Sequence, residues 1–226
     1  MPAIPAARPR YAYLGPAGTF TEEALRRVVN PDQAELLEQI DVISAIDAVR
    51  QGQADFALAA IENSVEGGVT AVLDTLAAGP PLVIKREILV PVTFNLAATP
   101  GTALDQVRAV AAHPVAWAQC RLWMHAHLPA AIHIAAPSNT APALALRQVA
   151  QQLAAPQTLD YQAALVPPPA VIHYGLNTLA SGVADNAAAV TRFVLIGRPG
   201  PVPPPTGADK TTLSVALPDE RAGALL

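Results

Sequence analysis

The sequence is poor in residue classes that mark several kinds of protein. Only 4% of its 226 residues are aromatic, 14% are charged, and it has a single cysteine, Cys120. One cysteine cannot form an internal disulfide, so we expect a reducing compartment, the cytoplasm. No apolar run reaches the roughly 20 residues that a membrane-spanning helix needs. Arginines in residues 1–10 have no apolar segment after them, so we expect neither a membrane partner nor a secretory signal.

Several site types are also absent from the sequence. The formal net charge is −4 and no basic face accumulates, which excludes a nucleic-acid partner. The five histidines are scattered, and no Cys/His cluster has the spacing of metal ligands. There is no Walker loop, no G-x-G-x-x-G after a strand and no G-x-S-x-G elbow. The sequence therefore predicts a small-molecule site that uses neither a cofactor nor a metal.

What the chain does have is a regular alternation of strand-like and helix-like segments. The apolar run at residues 56–61 is typical of a strand buried on both faces. Such alternation predicts an α/β fold with parallel sheets and helices on both faces. Strands are predicted at residues 11–14, 56–61, 82–89, 92–98, 108–112, 132–135, 162–166 and 190–197, and helices at 21–29, 44–51, 70–77, 114–127, 139–152 and 170–176.

Helix starts and chain breaks carry their own signals. Thr19 and Glu22 have the spacing of a capping box, and Ser44 is predicted to cap the second helix. Pro91 separates two predicted strands and is predicted to mark a crossing between two lobes. Four prolines between residues 201 and 205 predict an extended linker.

Polar residues gather where predicted strands end and helices begin, which is where ligands bind in open α/β sheets. Gly15-Pro16-Ala17-Gly18-Thr19 precedes a helix whose N-terminus favours anions, although an ordinary turn with a threonine cap also explains it. Glu62-Asn63-Ser64-Val65-Glu66 follows the buried strand and is dense in polar groups. The alternative for this second group is a polar loop in which Ser64 caps the next helix.

Three further groups are ambiguous on their own. Gln119 lies on a helix rich in Ala, Trp and Leu, where it can equally face water. Ser138-Asn139-Thr140 stands at a helix start, where N-capping is a sufficient reason for such residues. In the last strand, alternation puts Thr191 and Phe193 on one face and Arg192 on the other, an arrangement common at the polar edge of a sheet.

Taken together and in this order, these groups resemble the motifs of the prephenate dehydratase family. The segment Tyr13-Leu14-Gly15-Pro16-Ala17-Gly18-Thr19-Phe20 is similar to that family's opening motif. The match covers residues 11–197. The later motifs are similar to Ile61-Glu62-Asn63-Ser64 with Glu66-Gly67, His113-Pro114 with Gln119-Cys120, Tyr174-Gly175-Leu176 and Thr191-Arg192-Phe193.

The resemblance implies an α/β fold with two lobes of the type II periplasmic-binding-protein kind and an active site in the cleft between them. Residues 1–10 would be a disordered N-terminus, and 11–90 with 185–198 the first catalytic lobe. Residues 91–184 would form the second lobe and 199–209 the Pro-rich linker. Residues 210–226, with a strand at 211–217, would be a truncated ACT-like regulatory segment. We therefore expect this chain to be insensitive to phenylalanine and to form a homodimer or higher homo-oligomer.

The reaction implied by the resemblance converts prephenate to phenylpyruvate, with loss of carbon dioxide and the ring hydroxyl, in L-phenylalanine biosynthesis. Thr191 would hydrogen-bond or protonate the leaving hydroxyl, Asn63 and Gln119 would hold substrate oxygens, and Glu62 would set the geometry of its loop. No cofactor is implied. The expected substrate contacts are Gly15, Pro16, Gly18, Thr19, Ser64, Ser138, Asn139, Thr140, Arg192 and Phe193.

The chain departs from the family pattern at a few positions, among them Ala60, 167–169 (three prolines) and 187–189 (three alanines). These departures bear on substrate affinity more than on fold. Two alternatives stay open: a related decarboxylase that acts on the same skeleton without aromatising it, and a two-lobed protein that binds a carboxylate and catalyses nothing. The motifs do not separate prephenate from arogenate as substrate.

Overall fold

The computed structural model describes residues 8–151, 159–201, 203–213 and 215, which build two β-sheets flanked by helices. Two short 3-10 turns lie at Pro31–Gln33 and Leu104–Gln106. The elements are, in chain order, β1 (Arg10–Leu14), α1 (Phe20–Arg26), β2 (Glu35–Gln39), α2 (Val42–Arg50), β3 (Phe56–Asn63), β4 (Gly67–Gly68), α3 (Thr70–Ala77), β5 (Val83–Pro91), β6 (Asn95–Ala98), β7 (Ala109–Ala112), α4 (Pro114–Gln119), α5 (Arg121–His127), β8 (Ile132–Ala135), α6 (Ala141–Ala150), β9 (Ala163–Val166), α7 (Pro168–Tyr174), β10 (Asn177–Ala180) and β11 (Val190–Gly197).

The two sheets share one topology. In the first, which with its helices we call lobe 1, the strand order is β2-β1-β3-β11-β5, and β4 pairs with β3. In the second, which belongs to lobe 2, the order is β10-β6-β9-β7-β8. Each sheet has three parallel strands in the order second-first-third, followed by an antiparallel strand. This arrangement confirms the predicted α/β fold of the type II periplasmic-binding-protein kind.

Small side chains let the helices approach the central strands closely. The strands β7 (AVAA) and β9 (AALV) are buried at all four positions, and β3 is buried at Ala57, Leu58 and Ala59. Runs of this kind have no polar face because both sides of a central parallel strand are covered. Phe20 of α1 packs against the cores of both lobes and makes an edge-to-face contact with Phe94, with ring centroids 5.6 Å apart.

Several predicted elements are wrong in detail. The helix predicted at 114–127 is two helices, α4 and α5, which meet at Cys120. The cap of α2 is Asp41, whose carboxylate accepts from the backbone N–H of Ser44, so Ser44 is not the cap. Arg10 already belongs to β1, and the strand predicted at 92–98 begins only at Asn95. The strands β2 and β10 were not predicted.

The tail after the proline-rich segment has little regular structure where it is described. Residues 211–213 and 215, within the predicted strand 211–217, form no strand. The described part of the chain leaves out residues 1–7, 152–158, 202, 214 and 216–226. The end of the helix predicted at 139–152 and most of the predicted N-terminal and ACT-like segments therefore lie outside it. Among the helices that the structure describes, none has the length and apolar character needed to cross a membrane.

Candidate active site

Asn63 and Thr191 face each other across the antiparallel pair of β3 and β11. The side-chain amide nitrogen of Asn63 donates to Oγ1 of Thr191 at 2.9 Å. The amide oxygen of Asn63 accepts from the backbone N–H groups of Val65 at 2.8 Å and Glu66 at 3.3 Å, which fixes the direction of the amide. Because Oγ1 accepts from Asn63, the hydroxyl proton of Thr191 is left to donate to a third group.

Ser64 fastens the loop after β3 to the start of β11. Its Oγ accepts from the backbone N–H of Val190 at 2.9 Å, and its own N–H donates to the carbonyl of Val190 at 2.9 Å. Both bonds hold the residue before Thr191, which is itself only 7% exposed. Ser64 therefore supports the geometry of Thr191, and α3 begins without a side-chain cap.

Arg192 is held by two carboxylates of the protein. Its side chain follows Thr191 in β11 and so leaves the sheet on the other face. The guanidinium lies 3.2 Å from Oε2 of Glu62 and 3.0 Å from Oε1 of Glu87. Lys210 also pairs with Glu87, and its hydrogen bond, with the charges of Lys210 and Arg192, lowers the pKa of Glu87 below its usual value. Two carboxylates of the protein thus already neutralise Arg192, and one of them is Glu62.

Phe193 does not have the position expected of a residue that contacts substrate. It is 2% exposed and packs in the core of lobe 1 with Tyr13, Leu58 and Ile88. Its place in the T-R-F motif therefore reflects packing of β11, and the predicted substrate contact of Phe193 does not fit this structure.

The loop from Gly15 to Thr19 is fastened to lobe 1 by carboxylates. The N–H of Ala17 donates to Oε1 of Glu38 at 3.1 Å, and the N–H of Gly18 donates to Oε2 of Glu22 at 2.6 Å. A side chain at Gly15 would come within 3.1 Å of the Glu38 side chain, so glycine is what lets Glu38 approach. These two amides, expected to bind substrate carboxylates, are thus occupied by protein carboxylates.

Thr19 caps α1 as predicted, and the glutamate of the capping box makes a different bond. The Oγ1 atom of Thr19 accepts from the N–H of Glu22 at 3.2 Å. The carboxylate of Glu22 reaches Gly18, and not the N–H of Thr19 that a capping box would predict. Pro16, which completes this group, precedes Ala17 through the Gly15–Pro16 peptide, which is cis.

Gln119 ends α4 and is half-buried. Its carbonyl accepts from the backbone N–H of Asp185 at 2.7 Å. The carboxylate of Asp185 accepts from the N–H groups of Leu122 at 2.9 Å and Trp123 at 3.1 Å, so it caps α5. Asp185 thus sets where α4 stops and α5 begins, which places Gln119. The role of Asp185 is not predictable from the sequence, because nothing local to residues 114–127 marks a break.

Cys120, at the junction of α4 and α5, is fully buried. Burial, with the nearby charge of Asp185, raises the pKa of its thiol to about 12. At neutral pH the thiol therefore stays protonated and is a poor nucleophile. Cys120 in the Gln119-Cys120 motif therefore contributes to packing of the core of lobe 2.

Residues 138–140 lie immediately before α6. Ser138 Oγ accepts from the N–H of Ala141 at 3.0 Å, which satisfies the first turn of the helix. Thr140 is fully buried, and neither its Oγ1 nor the Oδ1 of Asn139 has a hydrogen-bond partner among the described residues. Unpaired buried oxygens of this kind are costly. The side chain of Thr140 can reach a ligand only if the start of α6 moves.

Apart from the Gly15–Thr19 loop, Glu62, Arg192 and Phe193, the predicted residues form two groups. At the carboxyl end of β3, Asn63 is hydrogen-bonded to Thr191 and Ser64 to the neighbouring Val190, whereas Gln119 and residues 138–140 belong to lobe 2. Within the described part of the chain, no hydrogen bond or ion pair joins the two groups, and no set of three or more His, Cys, Asp or Glu side chains is placed to hold a metal ion.

A cavity of about 830 Å³ lies elsewhere in lobe 1. It is lined by Arg10, Asp55 and Phe56 among others, at the amino ends of β1 and β3. Ligands of open α/β sheets bind at the carboxyl ends of the strands, where Asn63 and Thr191 lie. The cavity is therefore remote from the candidate site.

Comparison with known proteins decides the family. A model of the prephenate dehydratase family matches residues 11–201. The chain belongs to the prephenate dehydratase family. A prephenate dehydratase from Mycobacterium tuberculosis is 45% identical over 225 residues, which cover 96% of this chain and 67% of that protein. A prephenate dehydratase from Mycolicibacterium vanbaalenii is 45% identical over 231 residues, covering 96% and 70%.

A solved structure agrees with the family assignment. The prephenate dehydratase from Arthrobacter aurescens, crystallised with L-Phe, is 46% identical with a TM-score of 0.85, covering 96% of this chain and 68% of that one. The predictions of a prephenate dehydratase and of a hydro-lyase in amino-acid biosynthesis are confirmed. The decarboxylase without aromatisation and the non-catalytic binding protein are not favoured.

Proposed function

We propose that Thr191 acts on the leaving hydroxyl when this prephenate dehydratase converts prephenate to phenylpyruvate, and that the reaction takes place in the cleft between its lobes. The bond from the ring to its carboxylate breaks, and its electron pair completes the aromatic ring as carbon dioxide leaves. The same electron shift breaks the ring C–O bond, and the departing hydroxide takes up one proton from solvent, with Thr191 as the oriented hydrogen-bond donor, and leaves as water. Because the product is aromatic, the protein needs only to orient the dianion, assist hydroxide departure and exclude competing water.

The hydrogen bond from Asn63 to Thr191 carries this proposal. It leaves the Thr191 hydroxyl as a donor, so a ring hydroxyl placed against it receives a hydrogen bond as negative charge develops on the oxygen. Threonine is a weak acid, so orientation of this bond contributes more than transfer of the proton. Ser64 keeps β11 in register with the loop that holds Asn63.

Lobe 2 supplies the remaining donors in this proposal. The side-chain amide of Gln119 makes no hydrogen bond within the described residues and is free to hold a substrate oxygen. Ser138 stands before α6, whose N-terminus favours a carboxylate. Arg192 belongs to lobe 1, and its ion pairs with Glu62 and Glu87 stabilise the paired ends of β3 and β11.

We also propose the finer expectations of location, assembly and regulation. A single cysteine supports a cytoplasmic enzyme. A prephenate dehydratase that was crystallised with L-Phe is similar to this chain, which supports an ACT-like character for residues 210–226, and we also propose a homo-oligomer. Equilibrium sedimentation of the purified chain tests the homo-oligomer, and a monomer at assay concentration overturns it.

The deciding experiment is a product assay at neutral pH. The purified chain is incubated with prephenate, and with arogenate in parallel, and the products are identified by mass spectrometry. Phenylpyruvate formed catalytically from prephenate supports the proposal. A non-aromatic product, or no turnover of either compound by folded protein, overturns it.

A further inference from the structure

A hydrogen bond between the lobes involves a residue with no role so far. Tyr174 is the last residue of α7 in lobe 2 and is 5% exposed. Its hydroxyl donates to the carbonyl of Ala17 in lobe 1 at 3.0 Å. Burial, with the negative charges of Glu38 and Glu22, raises the pKa of Tyr174, so the hydroxyl keeps its proton and remains a donor.

A second contact joins the same loop to the same helix. Gly18 has φ +86°, and a β carbon there would lie 3.0 Å from Cα of Ala170 in α7. Positions four apart lie on one face of a helix, so Ala170 and Tyr174 form one surface. Glycine is therefore required at position 18 both for its backbone conformation and for its close approach to α7.

The loop is bound to lobe 1, so it cannot move together with α7 unless the rest of lobe 1 moves as well. Ala17 and Gly18 are tied through their N–H groups to Glu38 and Glu22. Glu22 is 5% exposed and is paired in turn with Arg26 at 2.6 Å. A bond from α7 to this loop therefore acts on the position of the whole lobe.

We propose that Tyr174 is a positioning residue for the reaction: its bond to Ala17, with the seat of Gly18 on Ala170, holds the two lobes in the arrangement that presents Thr191 and Gln119 to one substrate. This inference rests on the proposed function for its kinetic consequence only. The loop from Gly15 to Thr19 then serves chiefly as a junction between lobes, which agrees with the occupation of its amides by protein carboxylates.

The hydrogen bond from Tyr174 to Ala17 sets the fraction of the free enzyme whose lobes are arranged to bind substrate. When only a fraction of a protein is in the competent arrangement, the apparent affinity falls by that fraction. Substrate that spans the lobes restores the arrangement once bound. Loss of the Tyr174 hydroxyl therefore raises KM about two- to tenfold, the value of one net hydrogen bond, and leaves kcat within about twofold.

The test compares Tyr174→Phe with Tyr161→Phe. Tyr161 packs against the same core of lobe 2, and its hydroxyl makes no hydrogen bond within the described residues. The two variants remove the same atom, so a general effect of losing a tyrosine hydroxyl appears in both. Steady-state kinetics with prephenate are paired with hydrogen–deuterium exchange of the free proteins in peptides that cover residues 14–20 and 168–176.

We expect Tyr174→Phe alone to raise KM and to accelerate exchange in both peptides. Exchange at the wild-type rate, or faster exchange with unchanged KM, overturns the positioning role. Gly18→Ala, which forces Ala170 away, is expected to raise KM further. If that variant does not fold, Tyr174→Phe alone decides whether the contact between the lobes affects substrate binding. If wild type does not turn over prephenate, the proposed function fails, whereas the exchange data still decide whether Tyr174 joins the lobes.

Discussion

The amide nitrogen of Asn63 lies 2.9 Å from Oγ1 of Thr191, and the direction of this hydrogen bond determines what the threonine can do. Two backbone N–H groups hold the amide oxygen, so the nitrogen must face β11. A hydroxyl that accepts one bond keeps its proton for another partner. The pair thus converts an ordinary strand threonine into an oriented donor.

Asn63→Asp tests that direction. The carboxylate still accepts from Val65 and Glu66, so the loop is kept, but it now accepts the Thr191 proton that the substrate would receive. We expect kcat to fall by about 10², KM to rise because the new charge repels the dianion, and the free energy of unfolding to change by no more than about 1 kcal/mol. Asn177→Asp, on the exposed start of β10, is the control and should leave all three values unchanged.

A wild-type kcat in Asn63→Asp would mean that the Thr191 proton is not used. A large loss of stability in the same variant would instead show that the amide serves the loop alone. Urea denaturation of each variant separates these two results.

Gln119→Ala should act on binding. A hydrogen bond to a charged group is worth about 1.5–3 kcal/mol, so we expect KM to rise by about tenfold or more with a smaller change in kcat. Gln53→Ala, in an exposed turn of lobe 1, is the matched control. Kinetics with prephenate check the split, and an unchanged KM would make Gln119 a residue of the helix end only.

Asp185→Ala should affect both stability and binding. The variant removes the cap of α5, which costs about 0.5–2 kcal/mol, and it releases the helix junction that places Gln119. Asp185→Asn keeps one acceptor oxygen and should fall between wild type and Asp185→Ala in both Tm and KM. Asp74→Ala, on the exposed face of α3, is the control and should change neither Tm nor KM. A lowered Tm with an unchanged KM in Asp185→Ala would show that Asp185 caps α5 without affecting the position of Gln119.

The Cys120 thiol should be unreactive in the folded enzyme. Its pKa is raised from 9.0 to about 12, so a thiol-specific reagent at pH 8 should label the denatured chain quickly and the native chain hardly at all. Because the unfolded chain releases this proton at lower pH, the contribution of Cys120 to stability is complete below about pH 9 and is lost as the pH rises toward 12. Rapid labelling of native protein without loss of activity would contradict the burial of this group.

The strands buried on both faces were the most predictable part of the fold. The run at β3 and the alanine-rich β7 and β9 are apolar at nearly every position, and burial on both faces requires that. The strand β2 was missed because Glu35–Gln39 contains three polar residues in five, and it is an edge strand that buries little. Short polar edge strands are defined by the neighbour with which they pair.

The site was predictable where its residues are close in sequence, and less so where distant residues decide. The loop at Asn63 follows a readable strand, whereas the break before α5 depends on Asp185, far along the chain. Likewise, the amides of Ala17 and Gly18 look available in sequence, and only the fold brings Glu38 and Glu22 to them. Phe193 shows the same limit, because alternation places it beside Thr191 but only the tertiary core buries it.

Thr191→Val tests the central claim most directly. Valine is close in shape and keeps the buried strand position, so the variant should fold with a Tm near that of wild type. Its kcat for prephenate should fall by about 10²–10³ while KM changes little, because the lost bond is made chiefly in the transition state. Thr178→Val, on the exposed strand β10, should match wild type. A kcat near the wild-type value in folded Thr191→Val would contradict the account.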